Sequence, residues 1–145
     1  MCVEASGRTL DTIHQESVDH LTRELRNLNF DIGYRVRPLP FTKEILREQD
    51  VEKILYAHHV SHHVGLEVHD CSTLPRGLPL KAGNCVTIEP GVYVPDNDKW
   101  PKHFRGVGIR IEDCVVVGED TGLQVVLSAD AVKEVVDIEA LGKSE

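Results

Sequence analysis

Two stretches of this chain repeat one another without a gap. Ile88-Glu89-x-x-Val92-x-Val94 superposes on Ile111-Glu112-x-x-Val115-x-Val117. Each sets one carboxylate in a β-branched, apolar run, the composition of a half-buried strand. Successive side chains of a strand point to opposite faces, so each glutamate points away from the isoleucine before it. Paired, two such strands would present Glu89 and Glu112 on one face. A carboxylate in apolar surroundings needs a counter-charge, hydrogen bonds or a metal, because an unpaired charge out of water is costly.

The complementary chemistry lies just upstream. The thirteen residues from His58 to Asp70 hold five of the eight histidines. His58 and His62 are four apart, and Gly65 supplies backbone freedom for side chains to converge. Imidazoles and carboxylates meeting at one place form the donor set of a divalent-metal hydrolase. Taken singly, the glutamates read equally well as solvent-facing strand residues and the histidines as surface groups. Their joint occurrence points to a site. His59, His63 and His103 read as supporting neighbours. Arg110, taken to lie on the strand face opposite Glu112, reads as a carboxylate anchor or a counter-charge.

Helical periodicity runs from about Thr9 to Phe30 through Leu10, Ile13, Leu21, Leu25 and Leu28, with Thr9 or Ser6 as cap and Asp31-Ile32-Gly33 as the stop. Pro38-Leu39-Pro40 marks a break. A second helical pattern covers about Thr42 to Ala57, with Ile45, Leu46, Ile54 and Leu55 apolar. Strands are expected at Val86–Val94, interrupted at Pro90-Gly91, at Gly108–Val117 and at Leu123–Leu127. Pro95 to Gly106 reads as a polar loop, and Ser128 starts a last helix through Leu141. Helices, then strands, then a helix predict an α+β domain with helices on one face of an antiparallel sheet.

A chain of 145 residues suffices for one domain with a real core. Its net charge of −8 argues against a nucleic-acid partner, which needs a basic stripe. No apolar run approaches a membrane span. The four cysteines form no C-x-x-C pair, which fits small hydrophobes in a reducing compartment. The start, Met1-Cys2-Val3-Glu4, shows no targeting segment.

His62-x-x-Gly65-x-x-x-His69-Asp70, Glu89-Pro90-Gly91 and Arg110-Ile111-Glu112-Asp113 resemble the catalytic half of the pita-bread metallopeptidases, and within them aminopeptidase P, the Xaa-Pro aminopeptidases. Trp100 to Gly108, Leu127-Ser128-Ala129-Asp130 and Lys133-Glu134 resemble the mitochondrial branch, that of Xaa-Pro aminopeptidase 3 and the fungal intermediate-cleaving peptidase. The resemblance implies that residues 1–145 are the C-terminal half of a pita-bread domain, without its first half and amino-terminal domain. It implies metal ligation by His62, Glu89 and Glu112, proton transfer by Glu89, and substrate contacts from His58, His69 and Arg110. It also implies a peptide substrate, a divalent metal such as manganese, and a mitochondrial or cytoplasmic setting.

The family's centre takes two further ligands, both aspartates. Ahead of His58, Asp11 and Asp19 fall on the first helical pattern and Asp31 and Asp50 near helix ends. None sits in an apolar strand. The expectation is therefore one ion or none, and an open sheet edge that invites self-association or the missing half-domain. The readings to be separated are a metal-dependent aminopeptidase of the Xaa-Pro type, a truncated, non-catalytic peptide- or partner-binding module of the same fold, and an ordinary α+β domain whose acids and histidines are structural.

Overall fold

The computed structural model describes residues 7–30, 32–34, 42–44, 46–70, 73–119 and 124–143. Helix α1 (Leu10–Asn27) starts on Thr9, whose side chain and that of Thr12 close a capping box. It ends earlier than the periodicity suggests. Asn29 takes a left-handed φ of 54°, Phe30 N donates to Leu25 O at 3.0 Å and Asn29 N to Arg26 O at 2.9 Å. That is a Schellman stop, with asparagine where glycine is more usual. Leu10, Ile13, Val18 and Leu25 enter the core, whereas Leu28, past the end of the helix, is exposed.

The second helical pattern is largely corrected. Thr42–Glu44 forms β2, an antiparallel partner of β1 (Ile32–Tyr34). A short helix α2 (Glu48–Asp50) then widens into a π turn over Val51–Leu55, where Tyr56 N donates to Val51 O at 2.7 Å. The extra residue in the turn buries Val51, Leu55 and Tyr56 together and leaves Ile54 exposed. Pro38-Leu39-Pro40 and Ile45 lie outside the described residues.

The repeated stretches do pair. β3 (Cys85–Ile88) runs antiparallel to β6 (Asp113–Val117), and β4 (Gly91–Tyr93) antiparallel to β5 (Gly108–Arg110). Both ladders share one register, because Ile88↔Asp113 and Gly91↔Arg110 continue the same pairing across a gap. Glu89 therefore stands opposite Glu112, and Ile111 N closes the gap on Pro90 O at 3.2 Å. β7 (Gln124–Val126) extends β6. The apolar face carries Val86, Val115 and Val117, and the opposite face carries Thr87 and Glu89, which are also buried.

The last helix is shorter than expected, α3 (Val135–Leu141), and none of its residues is buried. Ser128 does not cap it. Its hydroxyl donates to Asp113 at 2.6 Å and accepts from Cys114 N at 3.1 Å, tying the turn after β7 to β6. Cys85 and Cys114 are free and half-buried. No helix among the described residues is long and apolar enough to cross a membrane.

Candidate functional site

The loop that follows the π turn supplies the imidazoles. Residues 60–64 run along the free edge of β3. Glu89 N donates to Val60 O at 2.8 Å, Thr87 N to His62 O at 2.9 Å and Val64 N to Cys85 O at 3.0 Å. This places His62 beside Thr87, and strand parity puts both on the face of Glu89. The result is three adjacent rows: His62, then Thr87 and Glu89, then Arg110 and Glu112. They line a cleft of about 440 Å³ together with His69.

His62 Nδ1 lies 2.9 Å from His63 O, a hydrogen bond in which Nδ1 donates and which turns Nε2 into the cleft. That nitrogen stands 3.3 Å from Glu89 Oε1. A carbonyl-anchored imidazole of this kind is how metal-ligating histidines are oriented. Glu89 is 7% exposed, and its carboxylate is held from both ends. The Thr87 hydroxyl donates to Oε1 at 3.0 Å and Arg110 to Oε2 at 3.1 Å. Arg110 is fixed in turn by Tyr93, whose hydroxyl accepts from its Nε at 2.6 Å; this bond raises the arginine pKa further.

Arg110 and Glu112 lie two apart and face the same cleft, which corrects the reading of Arg110 as turned away. Glu112 is exposed there. His69 is also exposed and stands edge-on to His62, with ring centroids 5.0 Å apart. His58 is wedged between Tyr56 at 4.8 Å and Tyr93 at 5.6 Å, and its Nε2 is buried with no hydrogen bond. Burial pushes the Tyr56 phenol up to about 12.

Gly65 matters for a reason other than freedom. A Cβ there would overlap the Asp70 carboxylate, which accepts from Leu66 N at 2.8 Å and closes the His62–His69 loop.

The donor set fits a metal only in part. His62 Nε2 and Glu89 Oε1 are spaced like two ligands on one edge of a coordination shell. Yet among the described residues no three His, Cys, Asp or Glu side chains are gathered closely enough to hold one ion. Glu112 lines the cleft without converging on the other two. As placed here, the described residues do not by themselves form a metal centre.

His59 and His103 fall outside this cleft. His103 packs on Phe104. His59 stacks on His14 at 4.5 Å, with Asp11 Oδ1 3.6 Å from its Nε2, and His14 Nδ1 accepts from Val60 N at 3.2 Å. The pair binds α1 to the loop that carries His58 and His62. Burial lowers both pKa values from 6.5, against Asp11 (and, at His14, Glu52) and with Arg76. His58 also lowers that of His14. A lowered folded-state pKa means that the unfolded chain takes the proton first. Stability is therefore expected to fall as pH drops below about 6.5, by at most about 1.4 kcal/mol per pH unit for each proton. Urea midpoints between pH 8 and 5 test this, and His14→Phe should flatten the slope.

Thr87, Tyr93, Tyr56 and His14 were not legible as site residues. Thr87 alone carried a signal, two positions before Glu89 on the same strand face.

The profile of metallopeptidase family M24 matches residues 2–119. This chain belongs to metallopeptidase family M24. Among M24 relatives, intermediate cleaving peptidase 55 of Saccharomyces cerevisiae is 40% identical over 139 residues, covering 96% of this chain and 24% of the relative. Human Xaa-Pro aminopeptidase 3 is 46% identical over 114 residues, 76% of this chain and 22% of the relative. The mitochondrial intermediate cleaving peptidase 55 of Arabidopsis thaliana is 45% identical over 82 residues, 57% of this chain and 16% of the relative. The crystal structure of the yeast protein superposes with a TM-score of 0.77 at 39% identity, over 99% of this chain and 33% of the other. The chain thus has the α+β, pita-bread architecture of the M24 aminopeptidases and spans 16% to 24% of the length of these curated relatives.

Proposed function

We propose that this chain is the C-terminal catalytic portion of a metal-dependent aminopeptidase of the Xaa-Pro type. The observation that carries the reading is the meeting of His62 Nε2 and Glu89 Oε1 at 3.3 Å, with Glu112 opposite Glu89 in a strand register that spans the gap. His62, Glu89 and Glu112 are the metal-side donors, completed by carboxylates from outside this chain, and manganese suits their mixture of imidazole and oxygen. Glu89 holds and passes the proton in peptide hydrolysis, kept in orientation by Thr87. His69 lines the cleft and can offer a ring N–H to the substrate carbonyl, and His58, packed between Tyr56 and Tyr93, is assigned a substrate contact by likeness to the family alone. Arg110 is read as a counter-charge to Glu89 rather than a direct substrate contact, because its guanidinium is already engaged.

The substrate is a peptide with a free amino terminus, and the setting is mitochondrial by likeness to the Arabidopsis relative. The other half of the pita-bread domain or a second copy of the chain is the expected partner. A second reading, a binding module without turnover, is favoured because no third ligand converges among the described residues.

A segment exchange tests the two. This chain replaces the matching segment of the yeast relative, and release of the amino-terminal residue from an Xaa-Pro peptide is measured with and without chelator. Chelator-sensitive release by the exchanged protein supports the peptidase. A folded exchanged protein with no turnover supports the module. The isolated chain is expected to show little or none.

A further inference from the structure

We infer that Arg110 is a built-in counter-ion that keeps divalent metal out of the Glu89 site in this chain, so that metal competence requires its guanidinium to let go. This rests on the reading of His62 and Glu89 as metal-side donors. Both oxygens of the Glu89 carboxylate are occupied. Oε1 accepts from Thr87 and faces His62, and Oε2 accepts from Arg110 at 3.1 Å. The guanidinium cannot drift off without cost, because Tyr93 pins its Nε at 2.6 Å. The same two residues meet again as a cation over a ring, 5.7 Å from the Tyr93 centroid.

Three carboxylates, Glu67, Glu89 and Glu112, line the cleft with one arginine, and that arginine is paired to the carboxylate an ion beside His62 would need. An ion on the His62–Glu89 edge would sit within a few ångström of the guanidinium and be repelled by it. The arginine side chain is 43% exposed and the glutamate 9%. The guanidinium therefore lies on the solvent side of the carboxylate and can swing into water once further carboxylates and a metal supply the balance. The arrangement stabilises the buried acid in the metal-free chain, where two facing glutamates would otherwise repel.

Calorimetric titration of Mn²⁺ into the purified chain tests this. Arg110→Met is expected to bind one ion about tenfold or more tightly than the unaltered chain, the order expected from removing a unit charge beside a divalent ion in a wet cleft. Tyr93→Phe removes the pin and should move affinity in the same direction by a smaller factor. Adding Glu89→Gln to Arg110→Met should abolish the gain. Equal or weaker binding by Arg110→Met overturns the inference. If that variant does not fold, Tyr93→Phe decides: tighter binding supports the inference, and unchanged or weaker binding overturns it. An inactive exchanged protein with the affinities in the expected order would sink the peptidase reading alone. An active one whose isolated chain ignores Arg110 would sink this inference alone.

Discussion

Trp100→Ala is expected to destabilise the chain by about 3–5 kcal/mol, the range for emptying a buried aromatic position. Trp100 is 2% exposed. It packs on Phe30 at a centroid distance of 5.8 Å, and Phe30 packs on Phe104 at 5.1 Å. Lys99 Nζ sits 4.8 Å from the indole ring centroid and bonds Asp50 at 3.1 Å, and Arg105 Nε donates to Trp100 O at 2.8 Å. Trp100 and the adjacent Lys99 thus join the end of α1, helix α2 and the loop between β4 and β5. That loop returns the chain so that Gly108 meets Tyr93, and the register sets Glu112 opposite Glu89. Domains are stable by only about 5–15 kcal/mol, so the loss would unfold a sizeable fraction of a marginal chain. Urea denaturation measures it. A cost below about 1 kcal/mol would mean that the cluster is not part of the cooperative core.

Trp100 also shows where sequence reading stops. A loop of Pro, Asp, Asn and Lys residues reads as polar, and nothing local says that its tryptophan is a core residue. The contact with Phe30 is long-range, and periodicity carries no long-range information. The same limit explains Thr42–Glu44. Three residues in a helix-compatible pattern become a strand because β1 offers a partner. Where the pattern was local, it held. The Thr9 cap, the apolar stripe of α1 and the strands flanking Pro90-Gly91 all come from neighbours in sequence.

The pairing of Glu89 with Glu112 is the instructive success. It was legible because a gapless repeat fixes parity, and parity decides which side chains share a face. The same rule, applied two residues upstream, places Arg110 in the cleft, which the reading of Arg110 missed. His14 is the opposite case. It stacks on His59 across 45 positions with no motif to announce it. Among the described residues no third side chain joins His62 and Glu89 at one point. A two-ion centre needs more negative charge than this segment's cleft carries.

Glu89→Gln separates structure from chemistry most sharply. In the segment-exchanged protein it is expected to lower kcat/KM by about 10²–10⁴-fold, the usual contribution of a positioned proton-transfer group. The substitution is close to isosteric, and the amide oxygen still accepts from Thr87. The amide nitrogen then faces Arg110, which loses an acceptor and a counter-charge, and the arginine side chain, 43% exposed, turns its guanidinium to water. The stability change should stay within about 1 kcal/mol, as for a solvent-screened ion pair. A structural role would give the reverse: a lowered urea midpoint with turnover scaling only with the folded fraction. Thr87→Val provides the intermediate case. It keeps the Glu89 charge and removes the hydroxyl that orients Oε1, so kcat should fall with little change in KM, whereas a Glu89 that acts only as ballast for Arg110 would leave kcat unmoved.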